Sequence, residues 1–378
     1  MRIAVISHAC VVDLNQRLYE ELARRDDMDV LIVAPSTWSA STGKVIKFRA
    51  PQPPCESRPL PVWGSGQISL HWYRGLTAVL RDWRPDLIYL DEEAYSLPAW
   101  QALRICRRMR LPLAFVQTQN IVKRQPWPFG WVERQVLDHA CLANPITDEC
   151  ADVLRARGFG GRIALIPHCV DTVRFFPQPA DELRAKLELE GFVVGYLGRL
   201  TEEKGLRELM AAADLLWEQG GLDFSVVLVG SGPLEAELRR WADSKPAGRV
   251  ALTGLVAHPQ APDYINAFDL LALPSRTTPG WKEQFGRVII EAMACGAPVL
   301  GSDSGHIPDL IGETGGGVVV AEGDAEALAT GMRSLIADPT RARQIGEAGR
   351  RAVAAKYAVT SVAERLHDAL IEVNGSHS

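Results

Sequence analysis

Two successive sets of short, β-branched and largely apolar runs, separated by stretches of helical spacing, constrain this chain more than any other feature of it. The first set reads IAVIS, DVLIVAP, DLIYLD, LAFVQ, CLANP and IALIPH; the second reads FVVGYLG, SVVLVG, RVALTG, LLALPS, PVLGSD and GGVVV. A strand with a continuous apolar run must be covered on both faces, and intervening helices supply that cover. The pattern predicts an α/β chain with two parallel sheets, hence two Rossmann-like domains, and 378 residues suffice for both. The segment IPHCVDTVRFFPQPAD separates the sixth run from a helix starting at about Asp181. Domains are expected at 1–170 and 171–356, followed by an amphipathic helix within 357–378.

The chemistry concentrates in PSRTTPGWKEQFGRVIIEAMACGAPV, residues 274–299. LLALPS suits a buried strand ending at Pro274-Ser275, and Phe285-Gly286 opens an apolar helix that Gly296-Ala297-Pro298 stops. First-turn N–H groups near Gly286, Arg287 and Val288 form an anion site suited to phosphate. Glu283 lies just before that turn and Glu291 about 8 Å down the axis, at ~1.5 Å per residue. Acids so near would repel a diphosphate unless each accepts hydrogen bonds from sugar hydroxyls. A sugar nucleotide meets both demands. Without their surroundings, the two acids fit equally well as a capping and a surface glutamate on an ordinary helix.

The string E-x-F-G-x-x-x-x-E-A-M-A-x-G-x-P-V resembles the E-x7-E signature of retaining GT-B glycosyltransferases of family 4. IPHCVDTVRFFP, GYLGRLTEEKG and VVLVGSGPLEAELR stand in the order that family shows, so the resemblance is specific over about residues 160–310. It implies a GT-B fold, two Rossmann-like domains facing each other across a cleft, with the last helix crossing back to the first. It gives Arg199 and Lys204 the donor diphosphate, Glu283 the hexose hydroxyls and Glu291 the ribose. Phe285, Gly286, Arg287 and Gly198 complete the donor site, while Gly230, Gly232, Gly254 and Leu255 surround the nucleobase and ribose. His306, in a glycine-containing turn, is either a sugar contact or a surface loop residue. Fixed cations aimed at the charge growing on the leaving nucleoside diphosphate are a strong catalytic lever, and they also do a metal's job. The only D-x-D, Asp27-Met28-Asp29, reads as a solvated turn far from these motifs. No metal and no cofactor is expected.

The first half departs from the family pattern. Where many members carry two glycines in the first strand–helix loop, SHACVVDLNQRLYEEL offers His8, Asp13 and Asn15 toward the acceptor, with Asn15 as a candidate helix N-cap. Where a histidine often follows the fourth strand, LAFVQTQN offers Gln117, Gln119 and Asn120. An amide positions a hydroxyl but is no base, so the acceptor's proton is expected on the leaving phosphate oxygen in a front-face mechanism. Asp91-Glu92-Glu93 closes the third strand, and Glu92 and Glu93 either hold acceptor hydroxyls or cap the next helix.

Seven cysteines without a CxxC pair predict neither a disulfide framework nor a zinc knuckle. MRIAVISHAC enters a strand at once, and no run approaches the ~18 apolar residues of a membrane span. A cytoplasmic protein is expected. The net charge of −5 divides into +4 for residues 1–170 and −9 for the remainder, and the basic part holds seven of the ten tryptophans. A basic, aromatic surface suits the anionic inner face of a membrane; the alternative is a tryptophan core under a solvated arginine face. The docking candidates are Lys123-Arg124 with the aromatic loop to Trp131, and Arg104, Arg107 and Arg108 at helical spacing. Nucleic acid is not an expected partner, given a pI near 6.0 and no recognised binding module.

Together these features fit a retaining hexosyltransferase that moves a hexose from a UDP- or GDP-linked donor to a saccharide or glycolipid acceptor in cell-envelope polysaccharide or glycolipid synthesis. Its rivals are a transferase with a soluble small-molecule acceptor, a nucleotide-sugar epimerase of the same architecture, and a non-catalytic nucleotide-sugar-binding subunit. The epimerase should lack the carboxylate pair with Arg199 and Lys204, and the idle subunit should hydrolyse no donor.

Overall fold

The apolar runs become the strands of two all-parallel sheets in the computed structural model, which describes residues 1–40 and 44–375. The first sheet contains β1 (Arg2–Ile6), β2 (Asp29–Pro35), β3 (Glu56–Leu60), β4 (Leu87–Leu90), β5 (Leu113–Gln117), β6 (Leu142–Pro145) and β7 (Arg162–Ile163). Its spatial order is β7-β6-β5-β4-β1-β2-β3. The second contains β8 (Phe192–Leu197), β9 (Phe224–Val229), β10 (Val250–Gly254), β11 (Leu270–Leu273), β12 (Val299–Ser302) and β13 (Gly317–Val320), in the order β10-β9-β8-β11-β12-β13. Each sheet grows outward from its first strand and then continues on that strand's other side. The winding therefore reverses between β1 and β4, and again between β8 and β11, and open α/β sheets bind ligands in the crevice such a reversal leaves at the strands' C-terminal ends.

The chain divides into two compact units, Met1–Pro167 with the helix that starts at Val359, and His168–Ala358. The break falls between Pro167 and His168, inside IPHC. The last helix, Val359–Gly375, packs on the helix Arg17–Ala23 of the first unit. Arg162 pairs there with Glu372, and His367 Nε2 lies 2.7 Å from Asp27 Oδ2. Asp27, read from the sequence as solvated loop, thus helps to anchor that helix.

The continuous apolar character of β1 and β2 matches their burial, with Ile3, Ala4, Val5 and Ile6 all fully covered. IALIPH is less regular than expected. Only Arg162 and Ile163 form strand, although the N–H groups of Ala164 and Ile166 still reach the carbonyls of Ala143 and Pro145, both at 3.0 Å. This strand is the sheet edge, and Leu165 turns outward. Two short hairpins, Thr37–Ser39 with Val45–Lys47 and Val62–Trp63 with Trp72–Tyr73, carry no periodic signal in the sequence.

Candidate active site

In the second unit, the loops following β8 and β11 meet at the reversal point. Gly205 adopts φ +67°, and a Cβ there would fall 1.7 Å from the Pro274 carbonyl oxygen, so backbone lies directly against backbone. This approach brings Lys204 Nζ to 2.6 Å from Glu283 Oε2, an oxygen that also accepts the Ser275 hydroxyl at 2.8 Å. The ammonium stands 4.7 Å from the centre of the Trp281 ring. With side-chain exposures of 13% and 10%, Lys204 and Glu283 are shielded from bulk water but still accessible. Sequence patterns assign these residues separate tasks; the structure joins them as one ion pair. Arg199 remains largely exposed, 3.4 Å from Glu203.

Glu291 projects from the helix Arg287–Ala294 and faces His258 Nε2 at 3.5 Å. No motif marks His258. Its only signal is its place in the loop after β10, beside Gly254 and the exposed Leu255. Gly286 is the N-cap of that helix, and no side chain caps it. Phe285 is buried, its ring 5.2 Å from that of His168 and 5.6 Å from that of His306. Burial, followed by the charge of Arg287, lowers the pKa of His168 to about 3. His306 is buried rather than a surface loop residue, and its N–H donates to the Glu283 carbonyl at 3.1 Å. The bareness of Gly230 and Gly232 is used by neighbouring backbone: a Cβ on either would meet the carbonyl of Gly198 at 1.8 Å or of Leu200 at 2.4 Å.

The first unit has its own cluster at the reversal between β1 and β4. His8 follows β1 and Glu92 follows β4; the His8 N–H donates to Glu92 Oε1 at 2.7 Å, and His8 Nδ1 lies 2.6 Å from Oε2. The Tyr73 hydroxyl donates to Oε1 at 3.0 Å and His71 Nε2 lies 3.3 Å from it, both carried by the unforeseen second hairpin. Burial opposes ionisation of Glu92, but the two histidines outweigh it and lower its pKa to about 2. The trio His8, His71 and Glu92 has ligand atoms within 4.8 Å of one another, the spacing a metal ion would need. Both carboxylate oxygens of Glu92 also face hydrogen-bond partners within the protein.

The neighbouring acids turn inward as well. Asp91 accepts the Ser7 hydroxyl at 2.8 Å, and Glu93 accepts Thr118 Oγ1 at 2.8 Å and Gln119 Nε2 at 3.1 Å. Neither Glu92 nor Glu93 caps the following helix, because Ser96 does so by accepting from the Ala99 N–H. Gln117 is buried and donates to the Gln119 carbonyl at 3.2 Å; Asn120 donates to Glu149 at 3.0 Å. Asp13 accepts the Leu14 N–H at 2.9 Å. Asn15 is not the N-cap expected of it. It lies within the 3-10 turn Asp13–Gln16, Gln16 takes the cap position of Arg17–Ala23, and Asn15 Nδ2 donates back to the Ala9 carbonyl at 2.8 Å.

Two doubly wound units, one bearing a lysine–glutamate pair and a second glutamate on the helix beside it, define a GT-B glycosyltransferase. Residues 179–352 match the family model of glycosyl transferases group 1, and residues 14–169 match that of a glycosyl transferase 4-like domain. The chain is 30% identical over 334 residues to the 2-deoxystreptamine glucosyltransferase of Streptomyces kanamyceticus, covering 82% of this chain and 84% of that one. It is 34% identical over 256 residues to a GDP-mannose-dependent alpha-(1-6)-phosphatidylinositol monomannoside mannosyltransferase of Mycobacterium tuberculosis, covering 64% and 66%. Its fold matches the sucrose-phosphate synthase of Thermosynechococcus elongatus with a TM-score of 0.75, at 22% identity and 100% coverage of both chains. Anabaena HepE in complex with UDP follows at 0.73, with 20% identity and coverage of 98% and 100%. The chain belongs to the glycosyl transferases group 1 family.

Proposed function

We propose that this enzyme transfers a hexose from a UDP- or GDP-linked donor to a saccharide or glycolipid acceptor, with retention of anomeric configuration and without an essential metal, in cell-envelope polysaccharide or glycolipid synthesis at the inner face of the membrane. The observation that carries this reading is the Lys204–Glu283 pair at the second unit's reversal point. When a donor enters, its diphosphate draws Lys204 and Arg199, and the hexose hydroxyls donate to the Glu283 carboxylate in place of the ammonium. Glu291 accepts the ribose hydroxyls. Both donor bases have support among similar proteins, UDP in the Anabaena complex and GDP in the mycobacterial mannosyltransferase.

The test is a thermal-shift screen of UDP, GDP, UDP-glucose and GDP-mannose, followed by transfer assays in which NMR reads the anomeric configuration of the product. A ligand at ~100 times its dissociation constant should stabilise by roughly 2.7 kcal/mol. Absence of any shift would remove the nucleotide-sugar reading, and an inverted product would remove retention. A soluble acceptor is the second reading, favoured because the Streptomyces relative is named for 2-deoxystreptamine. Offering 2-deoxystreptamine and a phosphatidylinositol mannoside side by side separates the two.

A further inference from the structure

In the second unit one ammonium, that of Lys204, lies against a carboxylate and an aromatic ring at once, the two kinds of surface that a sugar needs. We propose that the Trp281 ring is the wall on which the donor hexose lays its apolar face while Glu283 takes the hydroxyls at its edge, so that Trp281 distinguishes a nucleotide sugar from a bare nucleotide; this rests on the glycosyltransferase reading above.

Contact is the first observation. Lys204 Nζ lies 2.6 Å from Glu283 Oε2 and 4.7 Å from the centre of the Trp281 ring, so ring and carboxylate border the same small space. Trp281 is half-buried, whereas Thr278, Pro279 and Gly280 before it are exposed. The indole is thus tucked inward from a turn that itself faces solvent.

The turn is also held in place. The Thr278 N–H donates to the Trp281 carbonyl at 2.7 Å, the Trp281 N–H returns to the Thr278 carbonyl at 3.3 Å, and the Thr278 hydroxyl donates to the Trp281 carbonyl at 3.3 Å. The residues leading into it are tied to neighbouring loops of the same unit. The Arg276 N–H donates to the Glu203 carbonyl at 2.8 Å, the Thr277 N–H to Glu322 Oε2 at 2.6 Å, and the Thr277 hydroxyl lies 3.1 Å from that of Ser304. Glu203 adjoins Lys204, so the ring and the lysine are carried by loops bonded to each other. A wall positioned before its ligand arrives avoids the cost of ordering it on binding.

The chemistry of a pyranose fits this pair of surfaces. Its hydroxyls stand around the rim and need acceptors, which a carboxylate supplies. Its C–H groups cover the faces and need apolar surface, and the negative face of an aromatic ring attracts their polarised hydrogens as it attracts an ammonium. Lys204 therefore stands where the sugar belongs, with its charge on the carboxylate and its hydrogens over the ring. When a diphosphate draws the ammonium away, both surfaces are released together. A nucleoside diphosphate alone leaves them uncovered; a hexose covers both. Trp281 thus contributes to binding of the sugar half of the donor and not of the nucleotide half.

The experiment is calorimetry of UDP against UDP-glucose, and of GDP against GDP-mannose, in the wild type, W281A, W281L and W281F. For the pair that the wild type binds, W281A and W281L should weaken the nucleotide sugar roughly 10-fold and leave the nucleoside diphosphate unchanged. W281F keeps a flat aromatic face and should stay close to the wild type for both ligands. Leucine keeps apolar bulk without that face, so the contrast of W281L with W281F separates stacking from space-filling and stands even if W281A does not fold. Equal losses for nucleoside diphosphate and nucleotide sugar, wild-type binding of the nucleotide sugar by every variant, or a W281L indistinguishable from W281F would each overturn the assignment. A wild type that binds none of the four ligands fails the transferase reading instead, and this inference with it.

Discussion

Glu291 and Lys204 illustrate two different losses at the scale of a residue. A ribose hydroxyl donating to a carboxylate contributes on the order of 1.5–3 kcal/mol, so Glu291→Ala should weaken binding of the nucleoside diphosphate alone by that amount in calorimetry. Unchanged affinity in a folded variant would take Glu291 away from the ribose. Lys204→Ala removes a fixed cation from the charge that develops on the leaving group and should lower turnover roughly 10²–10³-fold. EDTA should leave the wild type active; if it abolishes turnover and a divalent ion restores it, a metal shares that task. The His8–Glu92 pair also sets a pH window for stability. Glu92 is lowered from 4.5 to about 2, so its contribution is complete above 4.5 and is lost as pH falls toward 2. His8 is raised above 6.5, so its contribution is complete below 6.5 and is lost as pH rises through the folded value. The urea-unfolding difference between wild type and Glu92→Gln should therefore be largest between about pH 4.5 and 6.5 and shrink on both sides. A difference independent of pH would show that the pair contributes no charge-dependent stability.

Among elements, Gly205 and Gly254 separate backbone strain from crowding. Their φ angles are alike, +67° and +74°, but a Cβ on Gly205 would meet the Pro274 carbonyl at 1.7 Å while one on Gly254 meets nothing within 4 Å. Gly254→Ala should cost only the left-handed strain, roughly 1–2 kcal/mol. Gly205→Ala must also part the loops that hold Lys204 and Glu283, so it should melt at lower temperature and bind nucleoside diphosphate less well. Equal melting temperatures would mean that the loop contact yields without cost. The same contrast shows what was legible in the sequence. Strands such as β1 and β8 announce themselves because both faces are covered and a continuous apolar run, IAVI or FVVGYL, fills them. ESRPL does not, since β3 is an edge strand, where Arg58 and Pro59 are tolerated on an open side. The glutamates of E-x7-E were legible as a spacing, but the Lys204–Glu283 contact joins residues 79 apart and exists only through the strand order. His71 and Tyr73 were illegible because their hairpin pairs only two residues on each side, too few for any period.

For the whole molecule, the basic first unit raises the question of what its surface meets. Its tryptophans divide: Trp38 and Trp83 are core, whereas Trp127 is 85% exposed and Trp131 47% exposed, with Val122 at 62% on the same loop. The helix Phe129–Leu137 continues from that loop and packs on the helix Leu97–Met109, where Arg107 donates to Gln135 at 3.0 Å. Arg104, Arg107, Arg108, Lys123 and Arg124 are all exposed, so the fold places the cations flagged in the sequence on helices and a loop that adjoin. No helix among the described residues is long and apolar enough to cross a membrane. Each cation near an anionic surface contributes about 1 kcal/mol, and salt that shortens the Debye length from ~10 Å at 0.1 M to ~3 Å at 1 M removes most of it. The protein should therefore sediment with anionic vesicles at low salt, sediment much less at high salt, and not sediment with neutral vesicles. Trp127→Ala should weaken binding at both salt concentrations, because insertion of its ring is apolar rather than electrostatic. Equal and negligible sedimentation in every condition would exclude the membrane and turn the acceptor toward a small soluble molecule, while leaving the site around Lys204, Glu283 and Glu291 untouched.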